Sequence, residues 1–315
     1  MMLTRRHIRV KVMQTLFAFD GTESDDFTKD QKFLLYSIDN MYNLYLLLMS
    51  LLIEINKKAT NHLETAQKKH LATEEEKNPN KKFINNQLLQ LIVNNERLKV
   101  QLEDRKITNW QLDNEYVDLL YKEIKNSDLY KDYMSTKTST FKEDKNFVID
   151  IFKEIIAPND KLYDYLEDKN LTWLDDLPTV NTFILKLLRK LKETSDPVTL
   201  TPKLYKDIED KEYAIKLFKK TLLNQSKLGE EISGKTSNWD RDRIASLDMV
   251  LLKMAICELL HFSSIPTKVT INEYLEISKE YSTPKSSIFI NGILDKLLKE
   301  YQNEGKLNKV GRGLM

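Results

Sequence analysis

Turn-forming residues are scarce in this chain: seven Gly and seven Pro in 315 residues. Glycine gives the chain its positive-φ conformations and proline its fixed φ, and tight turns draw on both. A chain this poor in both makes few turns and long elements. Sandwiches, barrels and doubly wound sheets need many marked turns, so the pattern predicts an all-α fold. At 41% hydrophobic and 31% charged, the chain has apolar surface enough for a core. Its 49 Lys+Arg almost cancel 48 Asp+Glu, so attraction to a polyanion has to come from a local patch.

Other counts exclude chemistries. The single cysteine, Cys257, rules out an internal disulfide framework, and His7, His62, His70 and His261 lack metal-ligand spacing. No phosphate-cradling glycine loop or nucleophile elbow occurs, and no nucleophile and base stand at a usable spacing. The expectation is a protein that is not an enzyme and holds no cofactor or metal. The apolar run Leu44–Ile53 is shorter than the roughly 20 residues that cross a bilayer. The basic start Met1–Arg6 has no apolar segment behind it. Both readings place the protein in the cytoplasm, away from membranes.

Periodicity predicts a short first helix capped by Thr4, with Ile8, Val12, Leu16 and Phe19 inward and Arg5, Arg6, Arg9 and Lys11 covering the rest. Long helices follow over about 29–71, 83–102 and 109–134, with polar breaks at 72–82 and 135–140. Met249–Leu260 is apolar nearly all round, the mark of a central buried helix, with Cys257 in the core. Asp240, Asp242 and Asp248 read as helix-start acids balanced by Arg241 and Arg243. Thr270 and Glu273 have capping-box spacing. Gly292 lies inside a helix with the core stripe Phe289, Ile293 and Leu297, which predicts that another backbone approaches it closely.

The strongest binding signal is the first helix. Three arginines, a lysine and a histidine fall within two turns of a helix start, where the macrodipole disfavours cations. Arg5 and Arg9, four apart, repel by a few tenths of a kcal/mol. Arginine offers bidentate phosphate contacts that lysine does not, so the cluster reads as a phosphate-binding helix end, with an ordinary exposed helix end as the alternative. Lys268, just ahead of a helix, and Asn291 are further candidate contacts.

Four blocks together resemble the NusB family of transcription antitermination proteins. They are Arg5-Arg6-x-x-Arg9-x-Lys11-Val12-Met13-Gln14-x-Leu16-Phe17 and Ile244-Ala245-x-Leu247-Asp248-x-x-Leu251-Leu252-x-Met254-Ala255-x-x-Glu258-Leu259. Then come Ile265-Pro266-x-Lys268-Val269-x-Ile271-Asn272-Glu273-x-x-Glu276-x-x-Lys279 and Ser286-x-x-Phe289-Ile290-Asn291-Gly292-Ile293-Leu294-Asp295-Lys296. The last two blocks are the specific ones.

The resemblance implies an all-helical fold of two packed bundles. It implies binding of the single-stranded boxA element of ribosomal RNA leader transcripts together with NusE, a ribosomal protein, within an RNA polymerase antitermination complex. It implies neither a DNA nor a membrane partner. Carried over by position, the RNA surface would use Arg5, Arg6, Arg9, Lys268, Phe289 and Asn291. Family members are usually under half this length, so about residues 65–200 look like a helical insertion built of appended hairpins, with Trp110, Tyr116, Leu120 and Tyr121 as an apolar face. Chain order suggests an N-terminal region, 1–204, and a NusB-like bundle, 205–315. Ser287-Ile288 stands where a more basic pair is expected, with Lys285 as a compensating cation. The alternative function is a helical protein–protein adaptor without RNA binding.

Overall fold

The computed structural model describes residues 1–19, 27–70, 73–235 and 245–310; the readings of Asp240, Arg241, Asp242 and Arg243 lie outside them. Among the described residues the regular structure is helical throughout. In chain order the helices are α1 (Arg5–Phe19), α2 (Phe27–Gln67), α3 (Glu74–Lys77), α4 (Gln87–Val93), α5 (Glu96–Asp104), α6 (Asn109–Leu112), α7 (Asn114–Asn126) and α8 (Asp128–Met134). They continue with α9 (Phe141–Ile151), α10 (Asp160–Lys169), α11 (Leu177–Lys190), α12 (Ile208–Leu223), α13 (Gln225–Ser233), α14 (Ser246–His261), α15 (Thr267–Tyr281) and α16 (Ser286–Asn303).

Two predicted helices are broken by caps. Asn95 accepts a hydrogen bond from Leu98 N (2.8 Å) and so starts α5 where one helix over 83–102 was expected. Ser127 does the same for Tyr130 N (3.1 Å) and divides the expected helix over 109–134.

The chain forms two compact units. One contains Met1, Leu3–Ile38 and Tyr205 onward; the other contains Met2 and Asp39–Leu204. The region 1–204 is therefore divided near residue 38: α1 and the start of α2 group with the C-terminal helices, because the apolar stripe of α1 is buried among them.

In the first unit α14 is the centre, packed by α1, α12, α13, α15 and α16. Leu251, Leu252, Met254, Ile256 and Cys257 are buried around its whole circumference. Its one acid beyond the first turn, Glu258, is also fully buried. Asp248 does more than favour a helix start: its two carboxylate oxygens accept hydrogen bonds from Ser282 Oγ and Ser286 Oγ, both at 2.7 Å. That clamps the turn between α15 and α16 onto the start of α14. Phe289, Ile293 and Leu297 form the buried stripe of α16. Gly292 faces open space, so its close-approach reading is corrected; no neighbour needs the room.

In the second unit the residues 39–67 of α2 are the spine. The indole N–H groups of Trp110 and Trp173 donate to Leu47 O (2.9 Å) and Asn40 O (3.0 Å), and Tyr45 Oη donates to Leu200 O (2.8 Å). Trp110, Leu120 and Tyr121 are buried within this unit. It is therefore a compact body with its own core, unlike a set of hairpins appended to a finished bundle. α2 is long and apolar enough to cross a bilayer, unlike the short run seen in the sequence, but 83% of its most apolar window is buried in protein. Its apolarity is that of a core helix.

Candidate nucleic-acid interface

Thr4 Oγ1 accepts a hydrogen bond from His7 N (3.4 Å) and starts α1 as the sequence predicts. The arginines that follow point to three different helices of the same unit. Arg5 Nε donates to Asp210 Oδ1 of α12 at 3.0 Å. Arg6 donates to both oxygens of Glu273 on α15, Nη2 to Oε1 at 2.8 Å and Nε to Oε2 at 2.9 Å. Arg9 donates to both oxygens of Glu258 on α14, Nε to Oε2 at 2.9 Å and Nη2 to Oε1 at 2.7 Å. The like-charge crowding of α1 is thus matched by carboxylates more than 200 residues away.

The Arg9–Glu258 pair is sealed, with side chains 2% and 0% exposed. Glu258 also accepts hydrogen bonds from Thr270 Oγ1 (2.8 Å), Tyr213 Oη (2.5 Å) and Tyr274 Oη (3.3 Å). Burial pulls the Arg9 guanidinium down, but the Glu258 hydrogen bonds and the neighbouring charge outweigh it, so its pKa lies above the ordinary value. Burial pushes the Tyr213 and Tyr274 phenols well above their usual range, with Glu258 adding to it. Lys309 Nζ completes the end of α14 by donating to Phe262 O (2.9 Å) and Glu258 O (3.2 Å).

This geometry sorts the six expected contacts. Arg9 is spent on the core, and its burial takes it out of reach of any RNA. Phe289 is 5% exposed and packs inside the unit, so it cannot stack on a base; the reason is that it lies on the inward stripe of α16. The exposed residue beside it is Ile288, at 72%. Asn291 is half-buried on the outer side of α16, where its Nδ2 donates to Asp295 Oδ2 (3.3 Å). Lys268 is exposed in the first turn of α15.

Arg5 and Arg6 remain as half-exposed guanidinium groups, with side chains 38% and 43% exposed. Each is held on its inner edge by a carboxylate. Arg5 also lies 5.1 Å from the centre of the Tyr213 ring. Among the described residues, Arg5 Nη1 and Nη2 and Arg6 Nη1 have no hydrogen-bond partner, which leaves outward N–H groups in a fixed fork. Arg6's hydrogen bonds hold the Glu273 carboxyl below its usual range. The arrangement can take a phosphate oxygen at Arg5 and Arg6, against a local field that Glu273 and Glu276 reduce.

The Thr270–Glu273 capping box does not form. α15 begins at Thr267, so Thr270 is already inside the helix and donates to Glu258, while Glu273 is engaged by Arg6. What sequence reasoning passed over is the pairing of the arginines with the acids Asp210, Glu258 and Glu273. For Glu258 a signal existed: one acid deep in an apolar helix requires a buried cation. Among the described residues no three His, Cys, Asp or Glu side chains are grouped to hold a metal ion.

The profile of the NusB family matches residues 186–299, which leaves the α1 arginines outside the matched segment. The transcription antitermination protein NusB of Salinibacter ruber is 43% identical over 112 residues, 36% of this chain and 70% of that protein. The NusB of Chloroherpeton thalassium is 41% identical over 109 residues, 35% of this chain and 52% of that protein. That of Clostridium botulinum is 45% identical over 94 residues, 29% of this chain and 71% of that protein. Among solved structures, T. maritima NusB is 31% identical and covers 38% of this chain and 87% of its own, with a TM-score of 0.30.

Proposed function

This chain belongs to the NusB family, and on that premise we propose that it is a transcription antitermination factor that binds the boxA element of ribosomal RNA leader transcripts together with NusE. The observation that carries the RNA reading is the pair Arg5 and Arg6, whose guanidinium groups are anchored by carboxylates on one edge and open on the other. Anchoring lowers the entropy lost when a phosphate is bound, and a single strand needs a cationic edge before its bases can be read. Lys268 and Asn291 extend the proposed contact with a point charge and an amide able to meet an unstacked base.

The test is titration of labelled boxA RNA with and without NusE, using the wild type and an Arg5→Gln/Arg6→Gln variant. Binding that weakens at least about tenfold in the variant, with about 0.7 lost from the log–log salt slope for each phosphate contact removed, supports the reading. Unchanged binding moves the RNA elsewhere. The adaptor reading is favoured by one observation, that all three α1 arginines already have carboxylate partners. A wild type that binds NusE but no RNA would establish it.

A further inference from the structure

The two polar breaks of the sequence meet within the 39–204 unit. Asn80 Nδ2 donates to Met134 O (2.9 Å) and Thr136 O (3.0 Å), and Lys82 Nζ donates to Tyr133 O (2.6 Å) and Thr136 Oγ1 (2.7 Å). Asp144 ties the far side, accepting from Gln87 N at 2.7 Å and from the hydroxyls of Tyr133 and Ser139. Between the two segments lies a cleft of about 300 Å³, lined on its charged walls by Lys81, Lys82, Lys137 and Asp144.

The charges of this cleft do not cancel. Lys82 is 8% exposed, yet its ammonium meets only a carbonyl, a hydroxyl and the face of the Tyr133 ring, 4.2 Å from the centroid. None of the three lysines forms an ion pair with a described carboxylate, whereas Lys57, Lys77 and Lys131 elsewhere in this unit each do. The one lining acid, Asp144, has both oxygens engaged by neutral donors. The nearby Glu143 carboxylate is engaged by Thr140 N (2.7 Å) and Thr140 Oγ1 (2.9 Å). Glu143 and Asp144 lie near enough to offset part of this charge, but no carboxylate touches the Lys82 ammonium, and three cations around a concave polar surface leave positive potential there.

We propose that this cleft binds an oxyanion of the phosphate class, held by the buried ammonium of Lys82 and closed over by the exposed Lys81 and Lys137. The cleft has room for such an ion and several waters, each of which occupies about 30 Å³. A nucleic-acid strand and free inorganic phosphate carry the same group, and both are sources the site can take. Positive and negative side chains alternate along this part of the chain, but folding gathers three lysines at one place.

The experiment uses the full chain at low salt, with inorganic phosphate as the probe and amide NMR shifts and calorimetry as the readouts. Saturable binding that shifts the Lys82 and Ser139 amides is expected. The Lys81→Gln/Lys137→Gln variant removes only exposed side chains and leaves the bonds of Lys82 in place. It should bind phosphate about tenfold more weakly, the factor that one charge-assisted hydrogen bond supplies, with an unchanged melting curve. A second arm titrates single-stranded RNA against the same two proteins. An affinity that falls about tenfold in the variant assigns the site to a nucleic-acid phosphate, and an unchanged one assigns it to the free ion. No shift at Lys82 and Ser139 in the wild type, or equal phosphate binding by both proteins, overturns the proposal. Failure of RNA binding as such does not touch the inorganic-phosphate arm.

Discussion

Arg9 and Glu258 face each other in the interior of the first unit, joined by two hydrogen bonds of 2.9 and 2.7 Å and separated by 249 positions of sequence. The pair fixes α1 to the central helix α14. It also converts the arginine-rich start of the chain into a structural element at Arg9 and a candidate binding edge at Arg5 and Arg6.

Breaking that pair on one side should be costly. Arg9→Gln or Glu258→Gln leaves one buried charge without its partner and should lower stability by about 3–5 kcal/mol. Arg9→Met with Glu258→Leu should recover much of the loss, because both charges leave together. Chemical denaturation of the three variants checks this, and equal stability of Arg9→Gln and wild type would refute the structural role.

Arg5 and Arg6 should behave differently. Each pair is partly exposed, and exposed ion pairs contribute about 0–1 kcal/mol. The Arg5→Gln/Arg6→Gln variant is therefore expected to melt close to wild type while losing RNA affinity. Thermal unfolding beside the RNA titration separates the two effects. A large loss of stability would mean that both residues, like Arg9, hold the bundle together.

The Arg6–Glu273 pair gives acid sensitivity with a definite sign. Arg6's hydrogen bonds hold the folded Glu273 carboxyl below its ordinary range, with burial opposing and the charges of Arg6 and Arg9 adding. In the unfolded chain the group titrates near the ordinary value of about 4.3. The stabilisation is therefore present above that value and is lost as pH falls through the lower folded one. NMR titration of the Glu273 carboxyl in the wild type and in Arg6→Gln is the measurement. The midpoint should rise in the variant, and a fixed midpoint would remove Arg6 as its cause.

Phe289 is expected to matter for packing and not for RNA. Phe289→Ala should cost about 3–5 kcal/mol, whereas Phe289→Leu should cost less than about 1.5 kcal/mol and leave RNA binding unchanged. A Phe289→Leu protein that is as stable as wild type but binds RNA tenfold more weakly would restore the stacking role.

Removal of residues 73–145 tests the status of the second unit. The deletion takes away Phe83, Trp110, Leu120 and Tyr121, all buried in the 39–204 unit, with the Trp110 indole bonded to Leu47 O of α2. It should expose a large apolar face and abolish cooperative unfolding of the 39–204 unit. A deleted chain that stays monomeric and melts with the wild-type transitions would instead support appended hairpins.

The sequence by itself determined that the chain is helical, because 14 Gly and Pro together leave few places to turn and the apolar positions repeat with the period of a helix. It determined that α14 is central and that Phe289, Ile293 and Leu297 share one stripe of α16, since these are local patterns within one helix. It marked the basic start of α1 as exceptional. Short-range chemistry it gave incompletely: the side chains of Asn95 and Ser127 cap new helices inside what periodicity alone joins together. Tertiary structure decided which cations are free, and the reason is distance along the chain. Helical spacing says that Arg5, Arg6 and Arg9 share the first turns of α1, but Asp210, Glu273 and Glu258 are brought to them by three other helices. Burial of a polar side chain depends on what those helices carry. The same gathering sets Lys81 and Lys82 beside Lys137, more than 50 positions away, in one cleft.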